Sequence, residues 1–382
     1  MKYLVKGYFG TNNLGDDLIL ASLLENFFDN TDSIVIVSKG EISNCDKVIR
    51  SNKLDVKVVY NKGIIGWFLS FLMVFKTDVF VFGPGGVFTT DNFKLYFMRT
   101  LHLTIARMFN KKIVFLGVGF NKLENPLTKK LFKWQTKKLE IAAVRDLLSY
   151  ENITSLVDSK KVVQTLDFAF FYPIDNKTVK ENNSTKSICI CLAQPWNQDE
   201  RKTKYKERYE KLCAEIRVTL KKNFPLEYDF YFVPFHNVSD VDFARDVVGD
   251  DEYLISKSHI VSSETEMLNK IDYIVKSDFI FSMRFHSSVL SIILRKPFVA
   301  ISYDFKISSL LTRFGLTNFE EIGIRNSEFF KREFDCDFYE LERKIKRNFE
   351  SLIHIDDIAK SMPMEQSKFS DLVDTFRRLR LP

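Results

Sequence analysis

Short runs of consecutive apolar residues, most of them closed by glycine or a polar turn, alternate along this chain with longer stretches whose apolar positions recur every three to four residues. Continuous apolar runs of this length suit strands covered on both faces, and the longer pattern suits helices. The first half predicts strands at 3–7, 33–38, 56–60, 78–82 and 113–119, a short strand ending before Arg145, and closure near 162–169. Helices are predicted at 17–28, 97–109 and 129–140. Residues 175–186 are polar without apolar period and read as a linker. The pattern then restarts, with strands at 187–192, 228–235, 259–262, 278–282 and 298–302. Helices follow at 205–222, from about 240, at 264–276, across 289–294 and at 308–314. This alternation predicts α/β architecture: two doubly wound domains, 1–175 and 186–325, facing a cleft. A helical tail, 326–382, has helices at 338–349 and 368–381; it is expected to pack back or to mediate association as a homo-oligomer.

Composition narrows the class. The chain has 382 residues, 45% apolar and 28% charged, enough for two or three ordinary domains. Its net charge of +6 is mild; it does not suggest nucleic acid, and it favours anionic substrates or a membrane surface only weakly. The 37 phenylalanines read as compositional drift. Five cysteines show no C-x-x-C pair, and Cys189 and Cys191 should share one face of a strand, which suits core packing. The odd cysteine count and the first residues, which enter a strand directly, lead to an expected cytoplasmic location. The longest apolar run, 64–75, is shorter than the roughly 20 residues that span a bilayer. A buried helix is expected there; the alternative is an interfacial helix in peripheral membrane contact, facing a lipid-linked substrate.

The candidate chemistry gathers at strand ends. Arg284 and His286 fall at a turn between a strand and an apolar helix, where open α/β sheets bind ligands and helix N-termini favour anions. An arginine fork and a histidine that titrates near neutrality suit a phosphate or carboxylate handled by an acid/base. Arg145 also follows a strand, though Asp146 offers a local ion pair. Gly83, Gly85 and Gly86, with Gly7, Gly10 and Gly15, lie along one sheet edge and are expected to face a ligand. Asp16 is placed to cap the first helix, and His236 ends a strand and is a candidate for lining the cleft. His102, His259 and His354 have no such context and are read as structural. No H-E-x-x-H, D-x-D or paired Cys/His spacing suggests a metal.

Several blocks together carry a likeness to a known family: Gly7-Tyr-Phe-Gly-Thr-Asn-Asn-Leu-Gly-Asp-Asp17, Val81-Phe-Gly-Pro-Gly-Gly86, Val144-Arg-Asp-Leu-Leu-Ser149, Leu166-Asp-Phe-Ala169, Ser282-Met-Arg-Phe-His286 and Ile301-Ser-Tyr-Asp-Phe-Lys306. In this order they resemble the polysaccharide pyruvyl transferase family. The resemblance implies two Rossmann-like domains arranged as in GT-B enzymes. It also implies transfer of pyruvate from phosphoenolpyruvate onto two hydroxyls of a free or lipid-linked glycan as a cyclic ketal, with no cofactor beyond that co-substrate. It places Arg145, Arg284, the backbone at Phe285, His286 and Ser287 around the donor, with His286 as general acid. Gly10, Asn12, Asp16, Asp17, Gly85, Gly86, His236, Tyr303 and Asp304 fall on the acceptor side or in the cleft. Pro84 stands where the family has glycine and removes a backbone donor. The same fold also fits a GT-B glycosyltransferase with a nucleotide-sugar donor, with Glu264 or Glu266 reading a ribose, or a non-catalytic scaffold protein.

Overall fold

The computed structural model describes residues 1–88, 90–174, 186–195, 205–224, 227–321, 343–345 and 353–380. The chain forms two compact units. One comprises Met1–Thr11, Asp16–Pro173 and Met362–Pro382; the other comprises Asn12–Gly15 and Ile174–Ser361. The expected linker, 175–186, lies almost wholly outside the described residues, as does Cys336.

The first unit holds strands β1 (Lys2–Lys6), β2 (Ser33–Ser38), β3 (Asp55–Tyr60), β4 (Val79–Phe82), β5 (Gly85–Phe88), β6 (Lys112–Phe120), β7 (Leu139–Val144) and β8 (Val162–Gln164). They pair in parallel in the order 3-2-1-4-6-7-8, with β5 beside β6. Tyr3 therefore lies between Ile34 and Val79. The order reverses between β1 and β4, so the glycine loops after these two strands flank the switch point, where ligands of doubly wound sheets bind.

The helices are α1 (Leu14–Phe27), α2 (Asp46–Ser51), α3 (Gly63–Phe75), α4 (Phe93–Arg99), α5 (Leu101–Met108), α6 (Pro126–Gln135) and α7 (Leu147–Thr154). Four features depart from the sequence pattern. α1 begins at Leu14, so Asp16 sits in its first turn. The helix expected at 97–109 is two helices, broken at Thr100, whose hydroxyl donates back to the Tyr96 carbonyl at 2.9 Å. Gly85–Phe88, expected as a turn, is a strand. The fourth departure is α3, expected to be buried. Only Ser70, Met73 and Val74 of this helix are buried, and Ile64, Ile65, Phe68 and Leu69 are exposed.

A cluster of phenylalanines fills the core of this unit. Phe88 lies 5.1–5.5 Å from the rings of Phe82, Phe115, Phe120 and Phe132, all within the core. Each such burial contributes about 1.5–3 kcal/mol.

The second unit holds β9 (Lys186–Cys191), β10 (Tyr228–Phe232), β11 (Ser258–Ile260), β12 (Phe279–Ser282), β13 (Phe298–Ser302) and β14 (Phe319–Glu321), all parallel, in the order 11-10-9-12-13-14. Its helices are α8 (Lys206–Asn223), α9 (Asn237–Val248), α10 (Glu252–Lys257), α11 (Met267–Lys276), α12 (Phe285–Ile293) and α13 (Phe305–Arg313). Here the order reverses between β9 and β12, which run in register with Ile190 opposite Phe281 and Cys191 opposite Ser282. Cys189 and Cys191 are buried with their sulfurs 3.6 Å apart.

Of the tail, α14 (Ile353–Arg378) is described, and from Met362 it counts with the first unit. Its Phe369 stacks on Phe171 at 3.7 Å, and Phe376 lies 5.5 Å from Tyr3. Beyond the helix, Arg380 pairs with Asp29 and donates to Asp32 at 2.5 Å. The helix expected at 338–349 lies outside the described residues except for 343–345.

Candidate active site

In the second unit, β12 ends at the switch point and the chain turns at once into α12. Its backbone is tied down there: the Met283 amide donates to the Cys191 carbonyl at 2.8 Å. Arg284 is the residue before the helix, with extended backbone, and the first turn of α12 follows with N–H groups that no helical carbonyl can accept. The turn is held by hydroxyls. Ser282 lies 2.6 Å from Ser287 and 2.8 Å from Ser288, and Ser287 donates to the Arg284 carbonyl at 2.7 Å. Ser287, expected at the donor, is fully buried and committed to this turn.

Arg284 does not stand alone. Its Nε donates to Asp240 Oδ2 at 3.1 Å and its Nη2 contacts Oδ1 more closely still, a side-on, bidentate pair. Asp240 is itself buried, and its Oδ2 also accepts the amides of Phe235 at 3.0 Å and His236 at 2.8 Å. Burial works against the arginine's charge, but Asp240, with the Tyr303 hydroxyl beside it, outweighs that and raises its pKa. The guanidinium therefore stays charged and is held by Asp240 through its side edge.

His286 is half-buried and packs edge-on against Phe285, with ring centroids 5.1 Å apart. Another neighbour comes from the N-terminal glycine loop. Leu14 donates to the Phe235 carbonyl at 2.7 Å, Asn13 and His236 form an antiparallel bridge, and Gly15 donates to Asn13 Oδ1 at 3.0 Å. This seats Gly15 against the histidine, where a Cβ would fall 1.8 Å from Nδ1. Only glycine lets the ring lie there. Asp240, Arg284, His236, Asn13, Gly15 and His286 thus form one connected cluster.

In the first unit Arg145 follows β7 and its Nη1 donates to buried Asp167 at 3.2 Å, with Asp146 at 3.7 Å. Asp146 is mainly a helix cap, accepting the Ser149 amide at 2.7 Å, so the local ion pair is the weaker one. A Cβ on Gly119 would meet the Arg145 guanidinium at 3.1 Å. Gly85 has a left-handed backbone with open space where a side chain would be, and Gly86 is exposed.

Other candidates are claimed by their own surroundings. A Cβ on Gly10 would fall 2.4 Å from the Gly40 amide, so its task is close packing of two loops. Asp17 is buried and accepts from Asn44 at 2.7 Å. Asp304 caps α13, accepting the Lys306 amide at 3.2 Å. Asn12 is exposed in a left-handed conformation, and Tyr303 is buried. In the sequence Asp240 and Asp167 are hard to tell from helix caps, since an acid near a helix start reads as one. Neither gives a local sign of a distant arginine. His102, read as structural without a partner, bridges Lys6 Nζ at 2.7 Å and Ser70 Oγ at 2.9 Å. Among the described residues no group of three or more His, Cys, Asp or Glu is placed to hold a metal ion.

Two doubly wound units, one with an arginine and a histidine at a strand-to-helix turn, define an α/β protein of the GT-B kind. The chain matches the polysaccharide pyruvyl transferase family over residues 13–305 and belongs to that family. No curated protein matches it in sequence. Among solved structures it is similar to the UDP-GlcNAc 2-epimerase from Neisseria meningitidis bound to UDP-GlcNAc, with TM-score 0.59, 14% identity, and 94% of each chain covered. It is similar to S. aureus MnaA with UDP, at TM-score 0.59 and 12% identity, covering 94% of this chain and 91% of that one. Anabaena HepE in complex with UDP and glucose gives TM-score 0.56 and 12% identity, over 99% and 98% of the two chains. At these identities the likeness speaks for the fold.

Proposed function

We propose that this enzyme transfers the pyruvyl group of phosphoenolpyruvate onto two hydroxyls of a sugar in a cell-surface polysaccharide or its precursor, working in the cytoplasm where that donor is made. The observation that supports this best is the seating of Arg284 and His286, two residues apart, at the switch point of a chain of this family. The second unit would take the donor, with Arg284 on its phosphate or carboxylate and the first turn of α12 adding amides and a positive dipole. Within the first unit, Arg145 is assigned to an anionic group and Gly85 and Gly86 to a sugar; within the second, Asn12 is assigned to a sugar.

The chemistry needs few groups. His286 protonates the methylene carbon, C3, which becomes the methyl group and leaves C2 electrophilic. One sugar hydroxyl adds to C2, the bond from C2 to the phosphate oxygen breaks, and phosphate leaves. The second hydroxyl then closes the ketal, and the two hydroxyl protons balance the one taken up at C3 and the one carried by hydrogen phosphate. An acid with its pKa near the working pH and fixed cations along the path of the negative charge are what such a sequence requires.

Isothermal titration with phosphoenolpyruvate in metal-free buffer tests the donor. Wild type should bind and Arg284→Ala should lose binding. A wild type that ignores phosphoenolpyruvate but binds a UDP-sugar would replace this reading with a glycosyltransferase.

A further inference from the structure

The first unit carries an apolar surface that the site does not use. Ile64, Ile65, Phe68 and Leu69 of α3 are 89%, 76%, 61% and 44% exposed, at positions that repeat along one helix face. Phe75 continues that face and meets exposed Phe109 just beyond α5, with ring centroids 4.3 Å apart. The opposite face is anchored. A Cβ on Gly66 would fall 2.2 Å from the Tyr60 carbonyl, Met73 and Val74 are buried, and Ser70 bonds His102 of α5. The apolar face is therefore preformed and points outward. Contiguous exposed apolar surface of this kind marks an interaction site.

Charge identifies the partner. Residues 57–77 and 92–123, which contain α3, α4 and α5, hold nine Lys and Arg and no Asp or Glu. The rest of the chain then has 47 basic and 50 acidic residues, so these two segments account for the net positive charge of the whole protein. Lys62 and Lys76 flank α3 at its two ends, both exposed, and Lys111 donates to the Phe75 carbonyl at 3.0 Å. A second copy of the chain would bring this acid-free face against itself, where like charges oppose contact. Thirteen residues make a helix of about 20 Å, too short for a hydrocarbon core of about 30 Å. No helix among the described residues is long and apolar enough to cross a membrane.

We propose that α3 docks the enzyme on an anionic lipid bilayer, with Ile64, Ile65, Phe68 and Leu69 entering the headgroup boundary and Lys62, Lys76 and Lys111 meeting lipid phosphates. Such docking would hold the enzyme at the surface where lipid-linked glycans reside. It stands apart from the identity of the donor, since it uses none of the residues assigned to phosphoenolpyruvate.

The test is co-sedimentation of the full chain with vesicles of phosphatidylcholine alone or mixed with phosphatidylglycerol, at low and high salt. Wild type should pellet with the anionic vesicles and much less with the neutral ones, and salt should weaken binding. Ile65→Glu/Phe68→Glu should lower the partition coefficient more than tenfold, and Lys62→Glu/Lys76→Glu at least about fivefold for each lysine. These side chains are exposed, so the melting temperature should hold. Should the first pair not fold, the lysine pair carries the test. Wild type left in the supernatant with both vesicle types would overturn the proposal, as would face variants that bind like wild type. So would a dimer in sedimentation velocity that the Phe68→Glu change splits, since the face would then belong to a second copy.

Discussion

Each unit places one arginine after a parallel strand and one buried aspartate against it, yet the two pairs are built differently. Arg284 is gripped side-on through Nε and Nη2 by Asp240, which also accepts two backbone amides. Arg145 donates through Nη1 to Asp167 at 3.2 Å, with Asp146 farther off at 3.7 Å. The first arrangement fixes the plane of the guanidinium. The second grips an end nitrogen of the guanidinium instead of its side. A donor whose reacting carbon must be protonated from one direction needs the first kind of holder; a cation that only follows moving charge is served by the second.

Activity should separate the two arginines most sharply. Arg284→Ala and His286→Ala should each lower phosphate release from phosphoenolpyruvate by about a hundred- to a thousandfold. Arg284→Lys should fare little better, because an ammonium cannot hold Asp240 and an anion in one plane. Arg145→Lys should retain more activity than Arg284→Lys, and equal losses would erase the distinction.

Stability should separate the aspartates next. Asp240→Asn removes the partner of a buried charge and should cost about 3–5 kcal/mol in urea unfolding. Asp167→Asn, with Asp146 still near Arg145, should cost only about 1–3 kcal/mol. A smaller effect follows at the glycine loop. Gly15→Ala pushes the His286 ring aside and should lower kcat by about a hundredfold while the affinity for phosphoenolpyruvate, measured by titration, changes little.

A further effect concerns pH and lies outside both pairs. Burial lowers the Lys6 pKa to about 7, and burial together with Lys6 lowers His102 to about 2. The unfolded chain then binds more protons than the folded one, above pH 7 through the lysine and below about 6.5 through the histidine. Stability should therefore rise with pH through both windows and fall on acidification. Lys6→Met should remove the rise in the urea midpoint between pH 7 and 9, and His102→Gln should soften the loss below pH 6.

Much of this architecture was readable in the sequence because its causes are local. Val79 to Phe82 and Phe279 to Ser282 are apolar on both faces, which only a strand covered on both sides tolerates. The residues after such strands lie at a sheet edge whatever the packing beyond, so Arg145 and Arg284 could be picked out as strand-end cations. Thr100 was harder to read, since its break depends on one hydroxyl choosing a carbonyl within the same helix.

What the sequence by itself determined was the alternation of strands and helices, the family blocks and the strand-end positions of Arg145, Arg284 and His286, since each depends on residues within a few turns of chain. Tertiary structure alone decided that Asp240, 44 residues away, holds Arg284, and that Gly15 leaves room for the His286 ring. It also decided that one face of α3 stays uncovered. An apolar period reports what a segment can bury; which surface covers it, and which carboxylate reaches an arginine, depends on partners that only folding brings into contact.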